Sequence, residues 1–241
     1  MRTALLSTLC LVLVAGLAPA SAKELPDPLD TRLGPAARID ALLGRMRARH
    51  DTLATLEAEF VQHKESMMFL EPSVATGVFS YAAPDRVRWE YEAPDPISLL
   101  IAGDQMTTWY RDLSRAETTG VGGQSQRILE YMGASTSLDK LLEYFTVALR
   151  IPETAAEPFE LRLSPRFKRV EKRIRELEIS IDSELYLPLR LRFVEGDGDV
   201  TEYEFLNLRL NQEIPEDRFV LEIPEQVEVH AVALDAGSPR R

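Results

Sequence analysis

Cysteine is almost absent from this 241-residue chain. The one cysteine, Cys10, lies in an apolar run near the N-terminus, so the rest of the chain offers neither a disulfide nor a catalytic thiol. Histidine is nearly as scarce, since His50, His63 and His230 stand far apart and no two have the spacing of a metal-binding pair. The sequence patterns of a nucleophilic serine and of a phosphate-binding lysine loop are also missing. We therefore expect no cofactor, no metal and no enzymatic activity.

Two segments superficially suggest ligand binding. Gly120, Gly122 and Gly123 lie close together as in a phosphate loop, but no lysine follows them. The segment from Glu195 to Asp199 alternates acids as a calcium loop does, but the positions expected to hold glycine and a bidentate acid are not occupied by those residues. Both segments are interpreted as loops. Acids are abundant throughout the chain, so a secreted hydrolase with two facing carboxylates stays open as an alternative.

The charge balance is strongly acidic. The chain holds 28 lysines and arginines against 39 aspartates and glutamates, for a formal charge of −11. An acidic surface of this kind argues against a nucleic-acid partner. Hydrophobic residues make up 45% of the chain, which is enough for one sizeable core.

The N-terminus has the pattern of a secretory signal peptide. Arg2 precedes an apolar run over residues 4–18, which ends in Ala20-Ser21-Ala22, a small-residue cleavage pattern. The run is shorter than the roughly 20 residues of a spanning helix. We predict a signal peptide over residues 1–22, cleaved after Ala22, and a periplasmic mature protein. An extended leader over 23–35, one domain over 36–230 and a flexible tail over 231–241 are expected to follow.

Hydrophobic periodicity predicts one helix followed by a mostly antiparallel β domain. Residues 36–49 carry apolar side chains at helical spacing, and from Leu56 the period changes to two. Between Ser125 and Leu149 the spacing becomes helical again, which predicts a helical insertion. Strands are predicted from Leu56 and over residues 77–82, 86–91, 98–102, 105–111, 159–163, 174–181, 188–193, 200–210 and 218–223.

The hairpin GVFSYAAPDRVRWEYEAP, residues 77–94, has two contrasting faces. One face is apolar and aromatic, while Arg86, Arg88 and Glu90 are expected to face water on the other. Along residues 200–210, Tyr203 and Phe205 compete with Leu206, Leu208 and Leu210 for the inner face, which indicates a β-bulge near Phe205 and Leu206. A bulge curves a wide sheet, so the sequence predicts either a filled barrel or a half-barrel with a ligand cavity.

These motifs, in this order, resemble the LolA family of periplasmic carriers of outer-membrane lipoproteins. The resemblance rests on the strand around Phe60, the hairpin at 77–94, Trp109-Tyr110, and the C-terminal segment FVLEIP at 219–224, and it spans roughly residues 39–229. It implies an α+β fold that is mainly antiparallel β. In that fold a half-open, unclosed barrel has an N-terminal helix and a helical lid insertion that cover its concave face.

The resemblance also implies a function and a site. The protein would be a monomer that binds the acyl chains of a lipoprotein, receives them from an inner-membrane exporter and passes them to an outer-membrane acceptor. An alternative is a LolA-like carrier of another lipid or glycolipid that serves a different envelope transporter. The cavity residues implied or suggested by the pattern are Phe60, Phe79, Tyr81, Val87, Trp89, Tyr91, Trp109, Leu138, Leu141, Leu142 and Phe145.

Two points qualify the resemblance. Inward aromatics are also what any β domain uses to fill its core, so a purely structural role for Trp89 stays open. In addition, Ala83 stands where several family members carry an arginine that contacts the lid helices. We expect that Trp89→Glu would abolish acyl binding and leave the fold intact.

Overall fold

The computed structural model describes residues 25–68, 71–120, 142–154 and 156–232. The expected signal peptide and most of the expected tail lie outside these residues. No helix in the described part of the chain is long and apolar enough to span a membrane.

The described residues form one long helix, two short helical turns, a helical stretch at residues 142–144 and twelve strands. The helices are α1 (Pro35–Asp51), α2 (Lys168–Glu171) and a 3-10 turn at Glu216–Phe219. The first six strands are β1 (Thr55–Glu65), β2 (Ser73–Ala82), β3 (Arg86–Ala93), β4 (Ile97–Ala102), β5 (Gln105–Tyr110) and β6 (Arg115–Gly120). The other six are β7 (Phe145–Arg150), β8 (Phe159–Pro165), β9 (Ile174–Ile181), β10 (Pro188–Glu195), β11 (Val200–Leu210) and β12 (Glu228–Ala231).

All twelve strands belong to one sheet, in the order β12-β6-β5-β4-β3-β2-β1-β11-β10-β9-β8-β7. Neighbouring strands are antiparallel except for β12, which pairs in parallel with β6. Within the described residues β7 and β12 are the two edges, so the sheet is unclosed. The mainly antiparallel, unclosed fold predicted from the sequence is confirmed.

The sheet is strongly curved. Trp89 in β3 and Tyr203 in β11 are separated by two strands, which is about 14 Å at the usual strand spacing of about 4.8 Å. Their ring centroids are nevertheless only 5.2 Å apart. Side chains three strands apart can meet in this way only if the face that carries them is concave.

Helix α1 covers one half of the concave face. Its buried residues Leu42, Leu43 and Met46 pack against strands β7 to β10, where Phe159 and Ile181 are fully buried. Pro35 at the first helical turn is a favourable start, because that turn's N–H groups have no partner within the helix. This half of the concave face is a filled core, which we call the helix-covered cluster.

A β-bulge in β11 orients its apolar side chains. Glu57 pairs with Arg209 and Glu59 with Leu206, so Asn207 and Leu208 together face one residue of β1. Asn207 has a left-handed backbone (φ 53°) and donates a hydrogen bond to Glu59 Oε2 at 3.0 Å. Leu206 and Asn207 therefore both point outward. Tyr203 and Phe205 before the bulge and Leu208 and Leu210 after it all pack on the concave side, as the competing patterns in the sequence indicated.

The predictions for two segments were wrong. Residues 145–149 are not helical, because β7 begins at Phe145 and alternates buried and exposed positions. The predicted strand at 218–223 is instead a 3-10 turn followed by a segment without strand pairing. Strands β6, β7 and β12 were not predicted. Most of the predicted helical insertion lies outside the described residues, and residues 142–144 are helical.

The leader is not simply extended. Residues 27–33 form two successive turns closed by backbone hydrogen bonds, Asp30 N to Asp27 O and Leu33 N to Asp30 O, each at 3.0 Å. Arg45 of α1 donates to the carbonyls of Leu25 and Pro26 at 2.9 Å. The described part of the leader is therefore held against α1.

Candidate functional site

The predicted hairpin forms the centre of the other half of the concave face. We call it the uncovered half, because no helix within residues 25–68, 71–120, 142–154 and 156–232 packs over it. Phe79 of β2 pairs with Trp89 of β3, and Tyr81 pairs with Val87. Gly77 of β2 pairs with Phe60 of the neighbouring strand β1 and lies beneath its ring, because a Cβ at Gly77 would be 2.8 Å from Phe60 Cζ. Glycine is therefore needed here to let a large ring approach the backbone. The expected division of the hairpin into two faces is confirmed.

Eight buried residues form what we call the aromatic cluster. Trp89 is its hub, with its ring centroid 4.8 Å from that of Phe60, 4.9 Å from Phe79, 5.2 Å from Tyr203 and 5.8 Å from Phe205. Most of these pairs are edge-to-face, the arrangement that aromatic quadrupoles favour. The members are Leu53, Phe60, Phe79, Tyr81, Val87, Trp89, Ile101 and Leu187.

Five of the eleven predicted cavity residues form the buried floor of this face and have almost no surface open to a ligand: Phe60, Phe79, Tyr81, Val87 and Trp89. Phe60 is 1% exposed, Val87 is completely buried, and Trp89 is 5% exposed. The indole nitrogen of Trp89 is buried without a hydrogen-bond partner in the described structure. A carboxylate in place of Trp89 would lie among aromatic rings, so Trp89→Glu would destabilise the fold itself. We therefore no longer expect this variant to keep the fold intact.

A half-buried layer surrounds the aromatic cluster on the concave side. These side chains pack against the cluster and keep part of their apolar surface uncovered, which is the property expected of a surface that receives another apolar group. Of the nine predicted cavity residues that the structure describes, only Tyr91 belongs to it. The layer consists of Leu56, Tyr91, Leu99, Met106, Leu185, Tyr203, Phe205, Leu208 and Leu210.

Sequence reasoning did not select most of this layer as site residues. Leu99 and Met106 belong to strands that were predicted correctly, and period-two alternation places them on the same face as Ile101. Leu208 and Leu210 could be assigned to this face only once the position of the bulge was known. Leu185 lies in the turn between β9 and β10, where the sequence carries no periodic signal.

A short polar chain crosses the aromatic side of the concave face. The Gln62 amide donates to the Tyr203 hydroxyl at 2.9 Å, and the hydroxyls of Tyr203 and Tyr91 are 3.2 Å apart. Burial raises the pKa of Tyr91 well above its usual range, and burial also raises the pKa of Tyr203. Both phenols are therefore neutral at ordinary pH, and the face carries no charge at this point.

The remaining predicted site residues lie elsewhere. Leu138 and Leu141 are outside the described residues. Leu142 and Phe145 pack in the helix-covered cluster, where Phe145 is 1% exposed. Trp109 pairs with Ser98, whose side chain lies on the convex face, and the Arg111 guanidinium lies 4.7 Å from the Trp109 ring centre. The prediction that Trp109 lines the concave face is wrong, because strand register places it on the opposite side.

The convex face of the hairpin is covered, although its charged residues were expected to face water. Arg88 donates to the carbonyls of Arg218 at 2.8 Å and Val220 at 3.2 Å, which fixes the segment after the 3-10 turn across β3. Glu90 accepts hydrogen bonds from Arg88, Arg111 and, at 2.7 Å, Ser98. Burial raises the pKa of Glu90, but these hydrogen bonds outweigh it and hold the pKa below its usual value.

The departure at Ala83 is not compensated by a neighbouring arginine. Arg86 pairs with Glu216, and its guanidinium lies 4.9 Å from the Phe219 ring centre. Arg88 is held by the same C-terminal segment. Both arginines therefore lie on the convex face, and neither takes over a contact on the concave side.

The site has the composition of a binding surface. The aromatic cluster and the half-buried layer consist of aliphatic and aromatic side chains, and the His50 ring centroid lies 6.3 Å from that of Tyr81. Among the described residues no group of three or more His, Cys, Asp or Glu side chains is arranged to hold a metal ion. What this face offers chemically is apolar contact area crossed by the hydrogen-bonded side chains of Gln62, Tyr203 and Tyr91.

Comparison with known proteins points to one family. The profile of the family described as "Outer membrane lipoprotein carrier protein LolA" matches residues 51–222. An outer-membrane lipoprotein carrier protein from Alkalilimnicola ehrlichii is 28% identical over 193 residues, covering 79% of this chain and 82% of its own. Its counterpart from Hahella chejuensis is 25% identical over 194 residues, covering 80% and 88%.

One solved structure shares the fold with high coverage. It is an uncharacterized conserved protein from Thermus thermophilus, with a TM-score of 0.53 and 11% identity, and the match covers 80% of this chain and 99% of that one. At this identity the likeness shows a common fold.

Proposed function

Because this chain belongs to the LolA family, we propose that it is a periplasmic carrier that holds the acyl chains of lipoproteins on the uncovered half of its concave face. The observation that carries the proposal is the half-buried apolar layer over the aromatic cluster. In this proposal the protein receives its cargo from an inner-membrane exporter and releases it to an outer-membrane acceptor. It has no catalytic role.

The physical requirement is to keep acyl chains out of water. Each buried methylene contributes about 0.8 kcal/mol, so one long acyl chain exposed to water costs on the order of 10 kcal/mol. The half-buried layer is rich in leucine and includes Met106 and Phe205. Such side chains adapt to a chain without fixed shape better than a rigid polar pocket does. The uncharged phenols of Tyr91 and Tyr203 add no desolvated charge to the surface.

The two tryptophans provide a direct test. They are the only ones in the chain, and Trp89 lies at the concave face while Trp109 lies on the convex face. In a Trp109→Phe variant all tryptophan fluorescence comes from Trp89. In a Trp89→Phe variant it all comes from Trp109. We expect a triacylated lipopeptide with brominated acyl chains to quench the fluorescence of the first variant and to leave the second unchanged.

A substitution in the half-buried layer tests the same surface independently. Leu208→Glu places a carboxylate where apolar contact is proposed, yet a half-buried position lets the charge reach water, so the fold is retained. Losing contact with three or four methylenes should weaken binding by about 2–3 kcal/mol, or roughly 30- to 150-fold. Leu206→Glu, one bulge position away on the convex face, is the matched control. Equal weakening by both variants would refute the proposed site.

A second candidate is carriage of a different acylated molecule, and Ala83 favours it. The concave side lacks the arginine that the resemblance led us to expect, and neither Arg86 nor Arg88 replaces it. Native mass spectrometry of the mature protein from its own envelope separates the two. A bound triacylated lipoprotein supports the first candidate, and a bound free lipid or glycolipid supports the second.

A further inference from the structure

Basic residues are concentrated in one exposed segment of this acidic protein. Residues 166–175, RFKRVEKRIR, contain six lysines and arginines and one glutamate, a net charge of +5 in a chain whose formal charge is −11. All six basic side chains are exposed. No ion pair within the described residues joins any of them to a carboxylate. The segment connects β8 to β9 and includes α2.

An exposed apolar tip lies at the same end of the strands. Met67 and Met68 follow β1 and are 81% and 88% exposed, the highest values among the large hydrophobic side chains described. Phe167, at the start of α2, is 45% exposed. Exposed methionines at a strand end carry an unfavourable hydration cost that burial in another apolar phase would remove.

The turn between β10 and β11 connects the basic segment to the apolar tip. Asp199 accepts hydrogen bonds at 3.0 Å from the Met67 N–H and from the Ser66 hydroxyl, which fixes the tip. On its other side, the Gly196 N–H donates to the Arg173 carbonyl at 2.9 Å, and Arg175 donates to the Gly196 carbonyl. The methionine tip and the basic segment are therefore parts of one surface joined by hydrogen bonds through this turn.

Acidic side chains lie within the same surface and limit its charge. Glu195 and Asp197 belong to the connecting turn, and Glu65 and Glu71 flank the tip in the sequence. Asp199 is occupied by the hydrogen bonds that hold the tip. The positive charge is thus localised on the β8–β9 connection, next to the tip and not spread around it.

We propose that this surface, made of Met67, Met68, Phe167 and the basic side chains of residues 166–175, docks on an anionic lipid bilayer. Lysine and arginine would contact the phosphate groups while the methionines enter the boundary between headgroups and acyl chains. Basic residues beside exposed apolar side chains are the combination that gives reversible binding to such a surface. A purely acidic protein partner would use the charges but would leave the methionine tip exposed.

The test is co-sedimentation of the mature protein with vesicles of phosphatidylglycerol and phosphatidylethanolamine, compared with vesicles of phosphatidylcholine. We expect binding to the anionic vesicles only, and loss of binding at about 1 M salt, where the screening length is about 3 Å. Absence of binding to anionic vesicles at low salt would overturn the proposal, and so would equal binding to both kinds of vesicle.

Two variants assign the binding to this surface. Neutralising Lys168, Arg169 and Lys172 to glutamine should weaken binding on the order of 100-fold, at about fivefold for each charge near the bilayer. The control loses three exposed charges elsewhere on the sheet, as the triple variant R150Q/R162Q/R209Q. It should bind as the wild type does. Equal loss in both variants would show a nonspecific charge effect and would refute the proposed surface.

The apolar part has its own pair of variants. M67S/M68S should weaken vesicle binding about tenfold or more. L206S/V220S, which removes exposed apolar side chains from the convex face, should leave binding unchanged. Leu208→Glu separates docking from uptake of a lipid into the proposed carrier site, because docking survives this substitution. If Leu208→Glu abolishes vesicle binding while M67S/M68S does not, the lipid enters the concave face and the docking proposal is wrong.

Discussion

Replacing Trp89 with alanine tests whether this residue is core or cavity wall. The Trp89 ring is 5% exposed and lies within 6 Å, centroid to centroid, of four other aromatic rings. Truncation therefore leaves a large void among Phe60, Phe79 and Tyr203. A residue that bordered open space would leave no such void, and its removal would matter mainly when cargo is bound.

The expected cost follows from this packing. Tryptophan-to-alanine substitutions at buried sites cost about 3–5 kcal/mol, since both transfer energy and cavity formation contribute. No hydrogen bond is lost, because the Trp89 indole nitrogen has no partner in the described structure. A domain stability of about 5–15 kcal/mol would thus fall by at least about a fifth. Trp89→Phe keeps a ring in the cluster and should cost only about 1–2 kcal/mol.

The free energy of unfolding of both variants can be measured by urea unfolding followed by far-ultraviolet circular dichroism. This signal does not depend on tryptophan fluorescence, which the substitutions themselves change. We expect a lower midpoint with an unchanged dependence on urea, and a much larger loss for alanine than for phenylalanine. A loss below about 1 kcal/mol for Trp89→Ala in the cargo-free protein would refute the packing argument. Trp89 would then be a wall of the binding site, as the family resemblance first suggested.

Two further predictions concern the hairpin. Gly77→Ala should lower stability by about 1–3 kcal/mol in thermal unfolding, because its Cβ would lie 2.0 Å from the Glu90 carbonyl oxygen. The control is Gly120→Ala, which has open space around its Cβ and should be nearly neutral. Glu90→Gln should cost about 1.5–3 kcal/mol at pH 7 by weakening the hydrogen bonds from Arg88 and Arg111. Since folding lowers the pKa of Glu90, its stabilisation is present above the ordinary value and is lost as pH falls through the folded value. The wild type and Glu90→Gln should therefore converge in stability in acid, and a constant difference between pH 7 and pH 3 would contradict this account.

The strand-rich fold and the inner face of the hairpin were accessible from the sequence because alternation is a local signal. The segment at 218–223 shows the limit of that signal. Its apolar side is buried because the segment lies across the convex face, and Phe219 is 7% exposed there. Burial of alternate residues occurs in any extended chain that lies on a surface, so periodicity alone could not tell this segment from a strand.

The helix prediction for residues 145–149 was wrong for the opposite reason. Phe145 and Leu149 are four residues apart, which fits a helix, but Val147 between them also packs inward, which fits only a strand. Pairing with β8 decided the outcome, because each of these residues lies opposite a residue of that strand. Such pairing joins residues that are distant in the chain, and a local pattern does not contain it.

By itself the sequence determined which residues avoid water, which strands alternate and which family the chain belongs to, since these follow from the order of side chains along the chain. Only the tertiary structure decided which apolar residues are floor and which stay half-buried, because that depends on curvature and on what covers each face. Trp89 and Leu208 are both apolar and inward. The curved sheet packs four rings around Trp89, and the bulge at Asn207 brings Leu208 to the uncovered side.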